Sequence, residues 1–254
     1  MLLAVLLCAA LPAACTPLGP ALPFPTDTPT STPTGTPTPT PTIVWFPPTA
    51  TPTPFPTPQV TPTPDYRPGL GEILLTDDFS SGEAWSLGRT SAGGAALGKN
   101  ELTIALSEPG AYVASLREAP VLRDFYLEIT ASPSLCRSAD EYGLLLRASS
   151  LRDFYRFSLS CDGQVRLDRL VNGTASSPQP WTLSGAFPPG APSISRLAIW
   201  AKEKEMRFFV NEEYQFTVSD PMLPSGSIGV FARSAGDNAV TINFSELIIR
   251  EIDE

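Results

Sequence analysis

Asp124-Phe125-Tyr126-Leu127-Glu128-Ile129-Thr130 changes side-chain character at every step. Phe125, Leu127 and Ile129 fall on one side of an extended chain, and Tyr126, Glu128 and Thr130 on the other. This period of two is the mark of a half-buried β-strand. The same pattern recurs at 102–106, 142–148, 154–160, 165–171, 197–201, 206–210, 214–218, 227–232 and 240–249. Turn-forming residues separate these stretches: Cys161-Asp162-Gly163, Asn172-Gly173, Asn211-Glu212, Pro224-Ser225-Gly226 and Gly236-Asp237-Asn238. Gly, Asn and Asp tolerate the backbone conformations that tight hairpins need. No segment of useful length carries a sustained helical stripe. The expectation is an all-β domain over 69–254, a two-sheet sandwich of antiparallel strands with enough chain for one core.

Upstream of this domain the composition changes. Residues 16–68 are rich in Thr and Pro, with runs such as Thr36-Pro37-Thr38-Pro39-Thr40-Pro41 and Thr61-Pro62-Thr63-Pro64. Proline has no backbone N–H and holds φ near −65°, so the tract builds neither helix nor ladder and favours polyproline II. Some fifty residues at roughly 3.1 Å each would reach on the order of 150 Å. It reads as a disordered stalk that displays the domain, with threonines suited to O-glycosylation. Residues 1–15 form a short apolar run ending in Leu11-Pro12-Ala13-Ala14-Cys15, the pattern of an export signal. Its Ala-Ala-Cys ending resembles the lipobox of bacterial lipoproteins. That resemblance implies lipidation of Cys15, attachment to a membrane and display at the bacterial cell surface. Simple cleavage would instead release the protein. The run is too short to span a bilayer, which takes about 20 apolar residues.

Composition excludes several functions. A net charge of −9 argues against nucleic acid as a partner, since phosphates demand a basic face. The chain has no histidine, so Ser–His and Cys–His nucleophile systems are out. Cys136 and Cys161 are an isolated pair in the domain. In an exported protein that pair reads as a disulfide, the alternative being two buried thiols.

The order of the motifs carries a resemblance. Asp77-Asp78-Phe79-Ser80 opens the domain and leads to Trp85, followed by the 124–130 strand. Then come Tyr142-Gly143-Leu144-Leu145-Leu146-Arg147, Asp153-Phe154-Tyr155-Arg156-Phe157 and Cys161-Asp162-Gly163-Gln164. A hairpin around Asn211 follows, then Ser227-Ile228-Gly229-Val230-Phe231-Ala232 and a final strand containing Asn243-Phe244. This sequence resembles the concanavalin A-like jelly-roll superfamily over essentially residues 72–250. It is most similar to laminin-G-like and 3-keto-disaccharide hydrolase-type domains. The resemblance implies two curved sheets, often with carbohydrate on or beside the concave face; it speaks to architecture more than to function.

Several strands place bulky or cationic residues on both faces. Sugar binding needs flat aromatic platforms and planar hydrogen-bonding groups. Arg147, Tyr155 and Trp200 are the preferred trio, with Trp181 and Arg233 at the rim. The competing reading is that Tyr155 and Trp200 plug the sandwich while arginines pair with Asp168 or Glu128. Asp77, Asp78 and Asp237, with Asn238, are candidate oxygen ligands for a structural calcium ion; otherwise they serve turns. Glycosidases need two carboxylates across a groove. The terminal Glu251-Ile252-Asp253-Glu254 lacks the spacing of the Glu-x-Asp-x-x-Glu strand of family-16 glycosidases, and no other segment supplies it. The resulting expectation is a non-catalytic module for a glycan or cell-envelope polymer. The alternatives are a 3-keto-glycoside hydrolase-type enzyme and a structural or adhesive domain that contacts protein.

Overall fold

A computed structural model of the chain describes residues 64–236 and 238–253. The expected export signal with Cys15, the Thr/Pro tract to residue 63, and Asp237 lie outside the described residues. Fifteen strands and no helix are found among the described residues. They are β1 (Leu70–Asp77), β2 (Gly88–Arg89), β3 (Gly93–Gly98), β4 (Glu101–Leu106), β5 (Tyr112–Leu122), β6 (Phe125–Leu135), β7 (Glu141–Ser150) and β8 (Asp153–Ser160). The chain continues through β9 (Gln164–Val171), β10 (Thr174–Leu183), β11 (Ser195–Lys202), β12 (Glu205–Val210), β13 (Glu213–Ser219), β14 (Gly226–Arg233) and β15 (Val240–Ile252).

These strands form the two antiparallel sheets of a sandwich. One sheet has nine strands in the order β13-β12-β11-β6-β15-β4-β3-β2, with β1 also paired to β15. Strand β15 is long enough to pair with β4 over Val240–Phe244 and with β1 over Leu247–Ile252. The other sheet has six strands, β10-β9-β8-β7-β14-β5. The alternation read at 124–130 holds in space. Phe125, Leu127 and Ile129 are fully buried in the main core, while Tyr126 joins a separate cluster on the sheet's other side.

The core lies between the sheets and is stitched by aromatic rings. Phe157 of β8 meets Phe208 of β12 with ring centroids 4.8 Å apart and Phe216 of β13 at 6.0 Å. Each buried phenylalanine contributes about 2 kcal/mol from area removed from water. Three hairpins turn on two residues that both have positive φ: Lys99-Asn100, Asn172-Gly173 and Asn211-Glu212. Such turns match the right-handed twist of the flanking strands.

Strands β1, β2, β3, β5 and β10 are absent from the sequence pattern, three of them for identifiable reasons. The β3 segment is Gly-Gly-Ala-Ala-Leu-Gly, too small to show alternation. The β10 segment contains Pro178 and Pro180, and β5 contains Pro120. Both are edge strands of the six-stranded sheet, where a missing N–H costs the ladder nothing. The register of β10 against β9 shifts at Ser176/Gln179 and again at Gln179/Thr182.

Cys136, after β6 in the nine-stranded sheet, is bonded to Cys161, after β8 in the six-stranded sheet. The bridge ties the two sheets and closes a sequence separation of 25 residues. In the chain-entropy account such a loop is worth roughly 3–4 kcal/mol. Reduction of the protein is therefore expected to lower its melting temperature by roughly 10 °C, measured by calorimetry with and without a strong reductant. An unchanged transition after verified reduction would show that the bridge contributes little.

Candidate functional site

Period two makes every strand of the six-stranded sheet two-sided. Tyr142, Leu144 and Leu146 of β7, Tyr155, Phe157 and Leu159 of β8, and Val165 and Leu167 of β9 point into the core. The residues between them are forced onto the outer face. Pairing then sets them side by side: Arg233, Glu141 and Ser160 in one row, Phe231, Gly143, Ser158 and Arg166 in the next, and Arg156 beside Asp168 in a third. Gly143 is fixed by its backbone. Its φ is +153°, and a Cβ there would meet the Phe157 carbonyl oxygen at 2.0 Å. Gly143 is itself buried, with the Phe231 ring against it at 3.4 Å from where that Cβ would be, and the charged groups pack beside this covered spot.

Two carboxylates and three guanidinium groups interlock on this face. Glu141 Oε1 accepts from Arg233 Nη1 at 2.8 Å and Oε2 from Arg166 Nη2 at 3.1 Å. Arg166 Nη2 also lies 3.0 Å from Asp168 Oδ2, so the two acids are separated by no more than the width of one shared nitrogen and its contacts. Arg156 Nη2 donates to Asp168 Oδ2 at 2.6 Å, and Ser177 Oγ to Oδ1 at 2.6 Å. The carboxylates are the deep layer, with Glu141 and Asp168 side chains only 5% and 3% exposed. Arg156, Arg166 and Arg233 form the upper layer at 13%, 17% and 43%. The guanidinium planes are held by aromatic rings: Arg166 lies 4.3 Å from the Trp181 ring centroid and Arg156 5.6 Å from that of Phe231. Tyr112 stacks on Phe231. Desolvation, partly offset by Arg156, pushes its phenol up to about 12, so it stays a neutral O–H.

The structure joins the two rim candidates and disperses the trio. Trp181 and Arg233 are linked through Arg166 and Glu141 on this one face. Arg147 and Tyr155 do meet, but as buried anchors of the turn between β13 and β14. Arg147 donates to the Leu223 carbonyl at 3.3 Å and the Arg123 carbonyl at 2.8 Å, and Leu223 N–H donates to Tyr155 Oη at 3.3 Å. Arg147 has φ +48° at a register shift of β7. This left-handed residue breaks the alternation that would have put its side chain beside Leu145. Burial holds its guanidinium below the usual arginine range. Tyr155 simply faces the core, fully buried.

Trp200 is on the other sheet, in a cluster with Tyr126, Ala198 and Phe209 on the outer side of the nine strands. It is not open there. Residues Tyr66, Arg67 and Pro68 lie across it: Trp200 Nε1 donates to the Pro68 carbonyl at 2.9 Å, and Tyr66 stacks on Tyr214 at 4.2 Å. Arg67 sits over Phe209, and Arg207 over Trp200 at 4.3 Å. Two of the calcium candidates, Asp77 and Asp78, also have other partners. Asp77 Oδ1 accepts from Phe79 N–H, and Oδ2 from the Trp85 indole and Arg117 Nε, each of these last two at 3.0 Å. A cation bound to Asp77 would have to displace that guanidinium. Asp78 accepts from Ser80 in a local turn.

Glu141, Arg156, Arg166, Asp168 and Tyr112 were not in the sequence-derived set of binding residues. Their signal was present: Arg166 and Asp168 alternate with Val165 and Leu167, and Arg156 with Tyr155 and Phe157. A pairing of an arginine with Asp168 was among the competing readings, and Arg156 makes it.

No protein-family model and no curated protein matches the sequence. Solved structures do match in fold. A carbohydrate-binding module, CBM66, from Bacillus subtilis aligns at 15% identity over 66% of this chain and 96% of its own, with a TM-score of 0.50. A Bacillus subtilis protein of unknown function with a galectin-like fold aligns at 13% identity over 73% and 99%, with a TM-score of 0.55. The catalytic domain of an endo-1,3-beta-glucanase (laminarinase) from Thermotoga petrophila RKU-1 aligns at 9% identity over 72% and 98%, with a TM-score of 0.52. Likeness at these identities is a likeness of fold, the two-sheet sandwich that the resemblance to the concanavalin A-like superfamily implies.

Proposed function

We propose that this protein binds a glycan, without cleaving it, on the outer face of the six-stranded sheet. The observation that carries the reading is the fixed layer of guanidinium groups beside Trp181, set on paired strands over two buried carboxylates. Rigid strands and mutual ion pairing hold these groups in place before any ligand arrives, so little ordering cost remains on binding. Trp181 offers ring surface to a pyranose, and the arginines offer planar donors to its oxygens. That the same fold serves a carbohydrate-binding module and a galectin-like domain adds support.

The arrangement disfavours hydrolysis. A glycosidase needs one carboxyl free to give a proton and a second free to attack or to activate water. Here all four oxygens of Glu141 and Asp168 accept hydrogen bonds, and both side chains lie beneath arginines. We propose further that the domain belongs with the laminin-G-like modules of bacterial surface proteins, exported and held to a membrane through a lipid on Cys15.

A panel of oligosaccharides and cell-wall polysaccharides, with and without calcium, tests the reading. The expected result is saturable binding without release of products. Trp181→Ala should weaken it by roughly tenfold or more. Trp200→Ala should leave affinity unchanged but cost about 3 kcal/mol of stability, because it empties the space beneath Tyr66–Pro68. Product release would establish a hydrolase instead, and silence across the panel would remove the glycan reading. Loss of binding in Trp200→Ala with Trp181→Ala unaffected would move the site to the other sheet.

A further inference from the structure

The chemistry of this face is more specific than sugar binding in general, and we infer that its ligand is an anionic glycan, one bearing carboxylate or sulfate groups. The inference rests on the site proposed above and turns on which atoms a ligand can reach. Neutral sugars are usually gripped from both sides, their hydroxyls donating to protein carboxylates and accepting from protein N–H groups. On this face the carboxylates are spent and covered, with Glu141 5% and Asp168 3% exposed. What remains in reach is donors: the free edges of Arg166 and Arg233.

Charge points the same way. Three arginines share two carboxylates, a local positive surplus on a chain whose net charge is −9. Arg233, 43% exposed, spends one Nη on Glu141 and has its remaining N–H groups available. Asp153 and Asp162, at the two ends of β8, already accept from Asn172 N–H and Ser150, and from Ser160 and Gln164. A planar fork of donors beside an aromatic ring suits a sugar whose substituent is an anion, with the ring on Trp181 and the anion toward Arg166 and Arg233.

The test compares three polymers on the full chain, of which dextran and dextran sulfate share a backbone and differ only in charge. Polygalacturonate carries the carboxylate, dextran sulfate the sulfate, and dextran serves as the neutral control. The expected result is at least about tenfold tighter binding to one or both anionic polymers than to dextran. Affinity should fall as salt rises from about 0.05 to 0.5 M, where the Debye length shrinks severalfold. Arg233→Gln should lose about tenfold on the anionic polymer, with Arg233→Lys recovering part of it. Lys202→Gln, which removes the same charge from the nine-stranded sheet, should change little. The wild-type preference is read without any variant, so a folding defect in Arg233→Gln cannot decide the matter. Neutral glycans bound as tightly as acidic ones, with no salt effect, would overturn the anionic assignment and leave the glycan-binding reading standing. No binding to any glycan would remove both. Equal loss in Lys202→Gln and Arg233→Gln would show nonspecific charge attraction and overturn the assignment to this face.

Discussion

The contact between Phe157 and the pair Phe208 and Phe216 sets the identity of both surfaces of the six-stranded sheet. Once that ring from β8 is committed to the space between the sheets, its neighbours Arg156 and Ser158 have one place to go. The same logic runs along β7, β9 and β14, where Tyr142, Leu167 and Ala232 are core and Glu141, Asp168 and Arg233 are their neighbours. A slip of one residue in β8 or β9 would bury an arginine in the core and expose a Phe or a Leu. Register is therefore held by the whole apolar core, and the polar face inherits that precision. The proposed binding surface is the reverse side of the core.

That surface carries a cost that its geometry offsets. Glu141 and Asp168 are nearly out of water, and a buried carboxylate without partners is expensive by several kcal/mol. Each acid is met by two arginines, and Asp168 also by Ser177. Arg166 spans both acids while resting on Trp181. Removing one member would leave charge uncompensated, so the cluster acts as a unit. Buried ion pairs are weak evidence for stability, since apolar residues of similar volume often do as well. Their presence on an outer face, where apolar or small residues would have sufficed, is better explained by what they present to solvent.

Much of the fold was legible in sequence because it depends on period two and on turn chemistry. All ten strands read from alternation are present, and so is the disulfide. Four of the five missed strands are short, glycine-rich or proline-bearing; the fifth, β1, pairs only with β15, and most lie at or near sheet edges, where neighbours rather than side-chain pattern define a strand. The site was less legible, for three separate reasons. Arg147 sits in a left-handed conformation at a bulge, and alternation cannot foresee a residue that breaks it. Trp200 faces outward as an alternating residue should, yet Tyr66, Arg67 and Pro68 cover it from more than 130 residues away in sequence. The ion cluster depends on which strands pair, since Glu141, Arg166 and Arg233 come from β7, β9 and β14. Only the closing rows of the sheet show that these charges meet.

The two outer faces of the sandwich thus have opposite fates, and the difference bears on function. On the nine-stranded sheet an aromatic surface that could have served a sugar is occupied by the chain itself, through a stacked tyrosine, a carbonyl acceptor and an arginine over a ring. The residues that end the Thr/Pro tract are thereby fixed to that sheet. On the six-stranded sheet the polar cluster stays accessible through its arginines. A ligand there would not compete with the attachment of Tyr66–Pro68, because the full thickness of the core separates them. Under the proposed function the two faces could be varied independently: a change to Trp200 or Tyr66 would alter how residues 66–68 are strapped to the domain, and a change to Arg166 or Trp181 would alter the face proposed to bind.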